Sequence, residues 1–359
     1  MGAIENIIDK INKDLGATLV VKASQALGIG YRRLSTGCLS LDIICGGNSE
    51  YEWGVPTGRI TEFWGIEGSA KTTVALNIIK SAQEKGNCGA FVNVEGAWDN
   101  AWAEKIGVDL GKLIFARVPS AETAESVLYE LIATPGVGVV VLDSIAMMTS
   151  QSELETDTKK KNVQPGTQPR AVNRVVRHIA SAFNRWPIDS VDSIDGQPAV
   201  IFLNQLREKI GAYGNPEYSP GGKGKDHQAS IRVQMAKGEL HRAGAKDDKK
   251  SPAVAITIKA RCNKNKVWAP FQNTEFLLYI RDVKKKGVPH NTGEIDQIDQ
   301  LAMLGLHYGL VERRGAVYEY DQISVSGFDA FKAELHGFDA ASGQLKDEIL
   351  EAAWERKGL

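Results

Sequence analysis

Two uninterrupted apolar runs most constrain how this chain folds. They are VGVVVLDS at 137–144 and AVIFLNQ at 199–205. Runs without polar alternation are typical of parallel strands buried on both faces of a sheet. ITEFWG at 60–65 and AFVNVE at 90–95 predict two further strands, and helical patterns such as 72–85 lie between the strands. This alternation predicts an α/β fold with a mostly parallel central sheet flanked by helices on both faces.

The N-terminal segment, 1–33, precedes this alternating pattern. Isoleucine and leucine recur there at three- and four-residue spacing, which predicts a helix over 4–15, and TLVVK at 18–22 has the composition of a strand. Two interpretations stay open: the helix packs on its own domain, or the segment is an oligomerisation arm that docks on a neighbouring copy.

The pattern changes again near residue 285. We assign 34–284 to the α/β core and 285–359 to a small α+β C-terminal domain with short helices and a hairpin-like GAVYEYD. Two long irregular stretches interrupt the core, 155–170 and 207–229, and connections of this length are usually functional. A third stretch, 238–252, is predicted to be a plain surface turn.

Composition limits the class of protein further. The formal net charge of the 359 residues is -1, so binding to nucleic acid would have to rest on local charge. The four cysteines show no CxxC spacing, which favours buried thiols in a reducing compartment. The apolar runs are far shorter than the roughly 18 residues of a membrane helix. We expect a cytoplasmic protein with no membrane partner.

A phosphate-binding loop is predicted between the first core strand and its helix. GIEGSAKT at 65–72 follows a strand and opens a helix, the context in which backbone N–H groups form an anion cradle. Ala70 replaces the second glycine of the usual pattern, and alanine tolerates fewer backbone conformations there. The predicted nucleotide contacts are Gly65, Ile66, Glu67, Gly68, Ser69, Ala70, Lys71, Thr72 and Thr73.

Three polar side chains end strands that should point to this loop. Asp143 ends VVVLD, Glu95 follows AFVNV, and Gln205 ends FLNQ. Ligands of open α/β sheets bind at the carboxyl ends of the strands, so these residues are expected to converge. Asp143 and Thr72 would then hold Mg²⁺, Glu95 would polarise a water, and Gln205 would sense the γ-phosphate of ATP.

The order of these motifs resembles the bacterial RecA family. The segments that carry the resemblance are LSTGCLSLD, GRITEFWG, AFVNVEGAWDNAWAEKIGVD, VVVLDSIAMMTSQSELE, IFLNQLREKIG and NKNKVWAPFQNTEF. The resemblance extends from about residue 30 to 320. Within the family, the chain resembles a divergent, phage-like member. The resemblance implies that Asp99, Trp102 and Tyr279 lie on the nucleotide side. It also implies that Lys264 and Lys266 reach the ATP of a neighbouring subunit as catalytic cations.

The two irregular stretches correspond, by the same resemblance, to DNA-binding loops. In and after the first, the implied contacts are Gly166, Arg170, Asn173, Arg174 and Arg177. The three arginines fall on one helical face. In the second, the implied contacts are Arg207, Lys209, Ile210, Gly221 and Gly222. Basic side chains and close glycine backbones suit phosphates, so binding should be independent of base sequence.

The resemblance therefore implies an ATP-dependent strand-exchange protein. Its partners would be single-stranded DNA, homologous double-stranded DNA and further copies of itself in a helical filament. Ala70 keeps a second hypothesis open, a nucleotide-binding filament that coats DNA with little hydrolysis. A ring-shaped helicase motor is a third, disfavoured by the KNK segment, the two loops and the C-terminal domain.

Overall fold

The bounds of the helices and strands come from a computed structural model. It describes residues 2–25, 31–49, 51–151, 153, 167–186, 196–208, 217–243, 250–285 and 288–356. The helices are α1 Ala3–Leu15, α2 Leu39–Cys45, α3 Lys71–Glu84, α4 Asn100–Ile106, α5 Ala121–Ala133, α6 Thr167–Phe183, α7 Gly222–Gln228, α8 Gln297–Tyr308, α9 Phe328–Gly337 and α10 Asp339–Glu355. The strands are β1 Arg33–Leu34, β2 Val55–Pro56, β3 Ile60–Gly65, β4 Cys88–Asn93, β5 Leu113–Arg117, β6 Val137–Asp143, β7 Ala199–Gln205, β8 Arg207–Glu208, β9 Glu217–Tyr218, β10 Ile231–Arg242, β11 Ala253–Asn265, β12 Asn273–Tyr279, β13 Val283–Lys285, β14 Val288–His290, β15 Glu312–Arg314, β16 Val317–Tyr320 and β17 Ile323–Ser326.

A mostly parallel sheet forms the centre of the described part of the chain. Its eight strands follow the order β12-β11-β10-β3-β7-β6-β4-β5. Neighbours from β10 to β5 pair in parallel, and β11 and β12 extend the sheet in antiparallel fashion. Every residue of β3 is buried, as is nearly all of β6 and β7. The predicted α/β fold is confirmed, since apolar runs buried on both faces require helices on each side.

Two apolar cores lie on opposite faces of this sheet. Ile201 and Leu203 of β7 pack in the core that contains α3. Val200 and Phe202, which alternate with them, pack in the core that contains α5 and α6. The helix that follows the β3 turn is therefore fixed against the sheet.

Helix α1 forms as predicted, but it buries none of its residues. Ile4 is 63% exposed and Ile7 is 57% exposed. The packing of this helix on its own domain is therefore not what the structure shows. The predicted strand at 18–22 is wrong: the Asn12 side chain binds the backbone of Leu19 and Val20, and no strand is formed there in the described residues.

The prediction of a plain turn over 238–252 is also wrong in its first part. Strand β10 continues to Arg242, with Leu240 opposite Ile256 of β11. The pairing register shifts between Lys237 and Leu240, so a bulge absorbs the glycine without ending the strand. Residues 244–249 lie outside the described part.

The C-terminal residues form a third core with α8, α9 and α10. The hairpin-like GAVYEYD forms as predicted, within the antiparallel sheet β15-β16-β17. This core also contains Leu39, Ile43 and Trp53 from the N-terminal half of the chain. Trp53 lies 5.3 Å from Trp268 and 6.3 Å from Trp354, centroid to centroid. The boundary at residue 285 stays a prediction.

Candidate active site

The loop between β3 and α3 encloses a lysine side chain. Lys71 is the first residue of α3, and its Nζ donates to the carbonyl oxygens of Gly65 at 3.1 Å and Ile66 at 2.7 Å. Burial lowers the pKa of Lys71, and the carboxylates of Asp143 and Glu95 oppose that effect. The ammonium group thus lies inside a turn at a helix N-terminus, where an anion held by backbone N–H groups would meet it.

Ala70 adopts the backbone conformation that the usual glycine would supply. Its φ is 65° and its ψ is 15°, in the left-handed region. This conformation costs a residue with a Cβ roughly 1–2 kcal/mol. The loop therefore keeps its geometry despite the substitution, with strain stored at this residue.

The three strand-end side chains converge beside the loop, as expected. The Gln205 Nε2 atom donates to Glu95 Oε1 at 3.1 Å. Asp143 accepts a hydrogen bond from the side chain of Thr72. Burial, and then the charge of Glu95, raises the pKa of Asp143 to about 6, although Lys71 acts in the opposite direction. Two carboxylates, a hydroxyl, an amide and an ammonium group thus share one edge of the sheet.

A divalent cation fits this donor set. In the described residues, no cluster of three or more His, Cys, Asp or Glu side chains forms a metal site. Thr72 and Asp143 together offer one hydroxyl and one carboxylate, which suits a hard cation that takes its other ligands from phosphates and water. Cys38, Cys45 and Cys262 are buried free thiols elsewhere.

The three residues assigned to the nucleotide side by resemblance have different local surroundings. Asp99 caps α4, accepting from the backbone of Ala101 at 2.9 Å and Trp102 at 3.3 Å. Trp102 is half-buried. Tyr279 is 1% exposed, donates its hydroxyl to Asp296 at 3.0 Å and stacks on His290. The roles of these three residues toward a nucleotide stay predictions.

Lys264 and Lys266 bind a helix end within their own subunit. Lys264 Nζ donates to the carbonyls of Asp226 and, at 3.0 Å, His227. Lys266 Nζ donates to the His227 carbonyl at 2.7 Å. Burial, with the charges of Lys266 and Arg232, lowers the pKa of Lys264 to about 8. Among the described residues, neither lysine is hydrogen-bonded or ion-paired with Lys71 or Glu95.

Three of the residues predicted to bind DNA line a groove between α6 and α7. Arg170, Asn173, Arg177 and His227 are among the residues around this groove of about 460 Å³. Arg174 points elsewhere: it pairs with Glu122 at 2.9 Å and Glu125 at 2.5 Å on α5. The predicted arginine face is therefore divided, with Arg170 and Arg177 exposed and Arg174 held in an ion-pair cluster.

The second loop is described in part. Gly221 and Gly222, at the start of α7, have φ values of 104° and 80°. Arg207 is exposed and donates to the carbonyl of Ala146 at 3.4 Å. Gly166, Lys209 and Ile210 lie outside the described residues, so their roles stay predictions.

One cation at the loop is not among the residues that the sequence predicts there. Strand β10 runs parallel to β3 with Met235 opposite Gly65. Lys237, two residues further, lies so close to Gly68 that an added Cβ there would be 2.8 Å from the lysine Nζ. Its charge also helps to lower the pKa of Lys71. Parallel pairing of β10 with β3 would have been the signal, because carboxyl ends of parallel strands meet at one edge.

The fold and this site define a P-loop nucleotide-binding protein with a RecA-like core. The RecA N-terminal domain family matches residues 2–284. The RecA protein of Deinococcus radiodurans is 33% identical over 353 residues, covering 98% of this chain and 88% of the relative. The RecA protein of Cereibacter sphaeroides is 32% identical over 351 residues, covering 97% and 92%.

The chain belongs to the RecA family and is a DNA-dependent ATPase that acts as a recombinase. The family binds nucleotide together with a metal ion. Within the described residues, every helix is too short or too polar to cross a bilayer.

Proposed function

We propose that this recombinase hydrolyses ATP with Mg²⁺ at the β3–α3 loop and couples hydrolysis to strand exchange between single-stranded DNA and homologous double-stranded DNA. The hydrogen bond of 3.1 Å between Gln205 and Glu95 is the observation that carries the proposal. This bond joins Glu95, a carboxylate able to polarise water, and Gln205, a neutral donor at the end of β7, beside Lys71. Catalysis of this kind depends on positioning and charge stabilisation.

Each side chain has a separate role in the proposal. Glu95 orients and polarises the attacking water, and Lys71 neutralises charge on the β- and γ-phosphates. Thr72 and Asp143 would hold Mg²⁺, which would supply further charge neutralisation on the phosphate oxygens. Gln205 detects the γ-phosphate and transmits its presence to the second loop.

The active site is completed by a second copy of the chain. Lys266 is exposed, Lys264 is half-buried, and both bind the end of α7 rather than a group at their own phosphate loop, which supports a role on a neighbour's ATP. Exposed apolar residues on α1, including Ile4 and Ile7, support docking of this helix on a neighbouring subunit. A filament built in this way would bind DNA in the cytoplasm through Arg170 and Arg177.

One observation bears on how fast this ATPase works, and so on the second hypothesis of a filament that mainly coats DNA. The left-handed Ala70 places a buried Cβ in the phosphate loop, where the family pattern has none. Phosphate release measured with and without single-stranded DNA separates the two. Stimulation by DNA supports the ATPase cycle, and binding of nucleotide and DNA without release supports the coat.

The variant Glu95→Gln tests the site itself. It keeps the size of the side chain but removes the carboxylate, so ATP binding should be retained while hydrolysis slows by about 10²–10⁴-fold, the usual contribution of a positioned base. Binding is measured with a fluorescent ATP analogue and hydrolysis by phosphate release. Hydrolysis at the wild-type rate would show that another residue positions the water.

A further inference from the structure

A buried ion pair lies between the phosphate loop and the second DNA-binding loop. Lys225 of α7 and Glu62 of β3 are each 0% exposed, and Lys225 Nζ lies 2.8 Å from Glu62 Oε1. The other carboxylate oxygen of Glu62 pairs with Arg232 at 2.6 Å. Burial acts to raise the pKa of Glu62, but the charges of Lys225 and Arg232 outweigh it and hold the pKa below its usual value.

The ammonium group of Lys225 uses all its hydrogen-bonding capacity. Besides Glu62, it donates to Ser219 Oγ at 2.6 Å and to Asp226 Oδ1 at 2.7 Å. A lysine has three donors, so each is satisfied. Breaking one partner of such a group leaves a buried charge uncompensated, whereas replacing the whole pair by apolar or neutral groups is often tolerated. The pair therefore fixes a geometry more than it stabilises the fold.

The ion pair is also connected to β7, the strand that ends at Gln205, the proposed γ-phosphate sensor. Asn204, the neighbour of Gln205, donates to Glu62 Oε1 at 2.8 Å and to the carbonyl of Pro220 at 2.9 Å. Pro220 follows β9 and lies within the second loop, 207–229. The carboxylate of Glu62 thus holds β3, the end of β7 and this part of the second loop in a single arrangement.

The same helix holds the two lysines assigned to the neighbouring active site. Lys225 anchors α7, and the C-terminal carbonyls of α7 bind Lys264 and Lys266. Arg232 reinforces the anchor through Asp226 at 2.9 Å. A shift of α7 against Glu62 would therefore move the Gln205 strand end and release or reorient both lysines.

We infer that Lys225, through its buried contact with Glu62, is a positioning residue that couples occupancy of the second DNA loop to ATP hydrolysis. This inference rests on the proposed function. It assigns no contact with nucleotide or DNA to Lys225. Its role is to transmit the position of α7 to Gln205 on one side and to Lys264 and Lys266 on the other.

The variant Lys225→Met tests the inference in the full-length protein. Methionine has a similar length but no charge, so ATP binding without DNA and DNA binding at saturation should stay near wild type. The ratio of hydrolysis with and without saturating single-stranded DNA should fall about tenfold, within the usual range of coupling between two sites. Lys332→Met is the matched control, because Lys332 pairs with Asp299 at 2.8 Å in the C-terminal core. It should keep the wild-type ratio.

A second variant distinguishes loss of coupling from misfolding. Glu62→Gln combined with Lys225→Met replaces the pair by neutral groups of similar size and leaves no unpaired buried carboxylate. A cooperative thermal transition with a reduced stimulation ratio supports the inference. A wild-type stimulation ratio in this double variant, or in Lys225→Met, overturns it.

Lys71→Ala, assayed in parallel, separates the inference from the proposed function. If Lys71→Ala is inactive while Lys225→Met responds normally to DNA, only the coupling role of Lys225 fails. If Lys71→Ala hydrolyses ATP normally, the phosphate site itself is misassigned and the coupling role falls with it.

Discussion

Mixing two inactive variants tests whether the active site spans two subunits. Lys71→Ala removes the phosphate-binding lysine, and Lys266→Ala removes a cation that lies on the C-terminal end of α7, away from its own phosphate loop. Each variant alone should be inactive. In a mixed filament, a Lys266→Ala subunit supplies an intact loop and a Lys71→Ala subunit can supply intact lysines to it.

The size of the recovery follows from the geometry of the interface. In a head-to-tail interface, each site takes its loop from one subunit and its lysines from the next, so an equal random mixture completes about one quarter of the sites. A cation inserted by a neighbour contributes about 10³–10⁵ in rate, so either variant alone should retain at most about a thousandth of wild-type hydrolysis. The expected signal is therefore a few hundred times the background.

The assay is phosphate release on saturating single-stranded DNA across a series of mixing ratios, with mixed filaments verified by electron microscopy. The recovered rate should be greatest at equal proportions and fall toward either pure variant. If Lys264 and Lys266 acted on their own subunit's nucleotide, every subunit in the mixture would be inactive. Verified mixed filaments with no more activity than their components would refute the shared site.

Three further predictions concern DNA, pH and stability. Arg170→Ala and Arg177→Ala should each reduce the slope of log affinity against log salt by roughly one for every DNA phosphate that the arginine neutralises. The affinity is measured by fluorescence polarisation on several DNA sequences. A changed sequence preference at an unchanged slope would contradict binding to the DNA backbone. Because burial lowers the pKa of Lys264 in the free subunit to about 8, its charged form is lost as the pH rises through that value. Nucleotide-dependent filament assembly should therefore weaken above pH 8, while Lys264→Arg should assemble up to higher pH; superimposable pH profiles of assembly would exclude this lysine as the titrating group. Trp354→Ala should lower the free energy of unfolding by about 3 kcal/mol, since a large ring is removed from a packed core; a denaturant midpoint equal to wild type would show that the ring contributes little.

The central fold can be predicted because its signals are local. The apolar run at 199–205 indicates both the length of the strand and its burial on both faces. The structure has that strand with the same bounds, Ala199–Gln205. The strand prediction at 18–22 is wrong because a strand needs a partner, and the Asn12 side chain binds that backbone instead. The turn prediction at 238–242 is wrong because a bulge lets a strand continue through glycine.

The residues of the site also differ in whether a local sequence signal or a long-range contact reveals them. Lys71, Thr72 and the strand-end residues can be found from the sequence because strand ends converge in any parallel sheet. The interaction between Lys225 and Glu62 joins residues 163 positions apart and depends on the order of strands. The contacts of Tyr279 with Asp296 and His290 likewise depend on long-range packing, and its place on the nucleotide side stays a prediction.

The indole cluster of the C-terminal core gives this protein an optical signature. Trp268 lies two residues after Lys266 and stacks on Trp354 of the last helix at 5.9 Å, with Trp53 edge-on to both. Rings held at fixed angles produce near-ultraviolet circular dichroism that disappears when specific packing is lost. The segment carrying Lys264 and Lys266 can therefore be followed without a label. A change in that spectrum on adding nucleotide or DNA would report movement of this segment relative to the final helix.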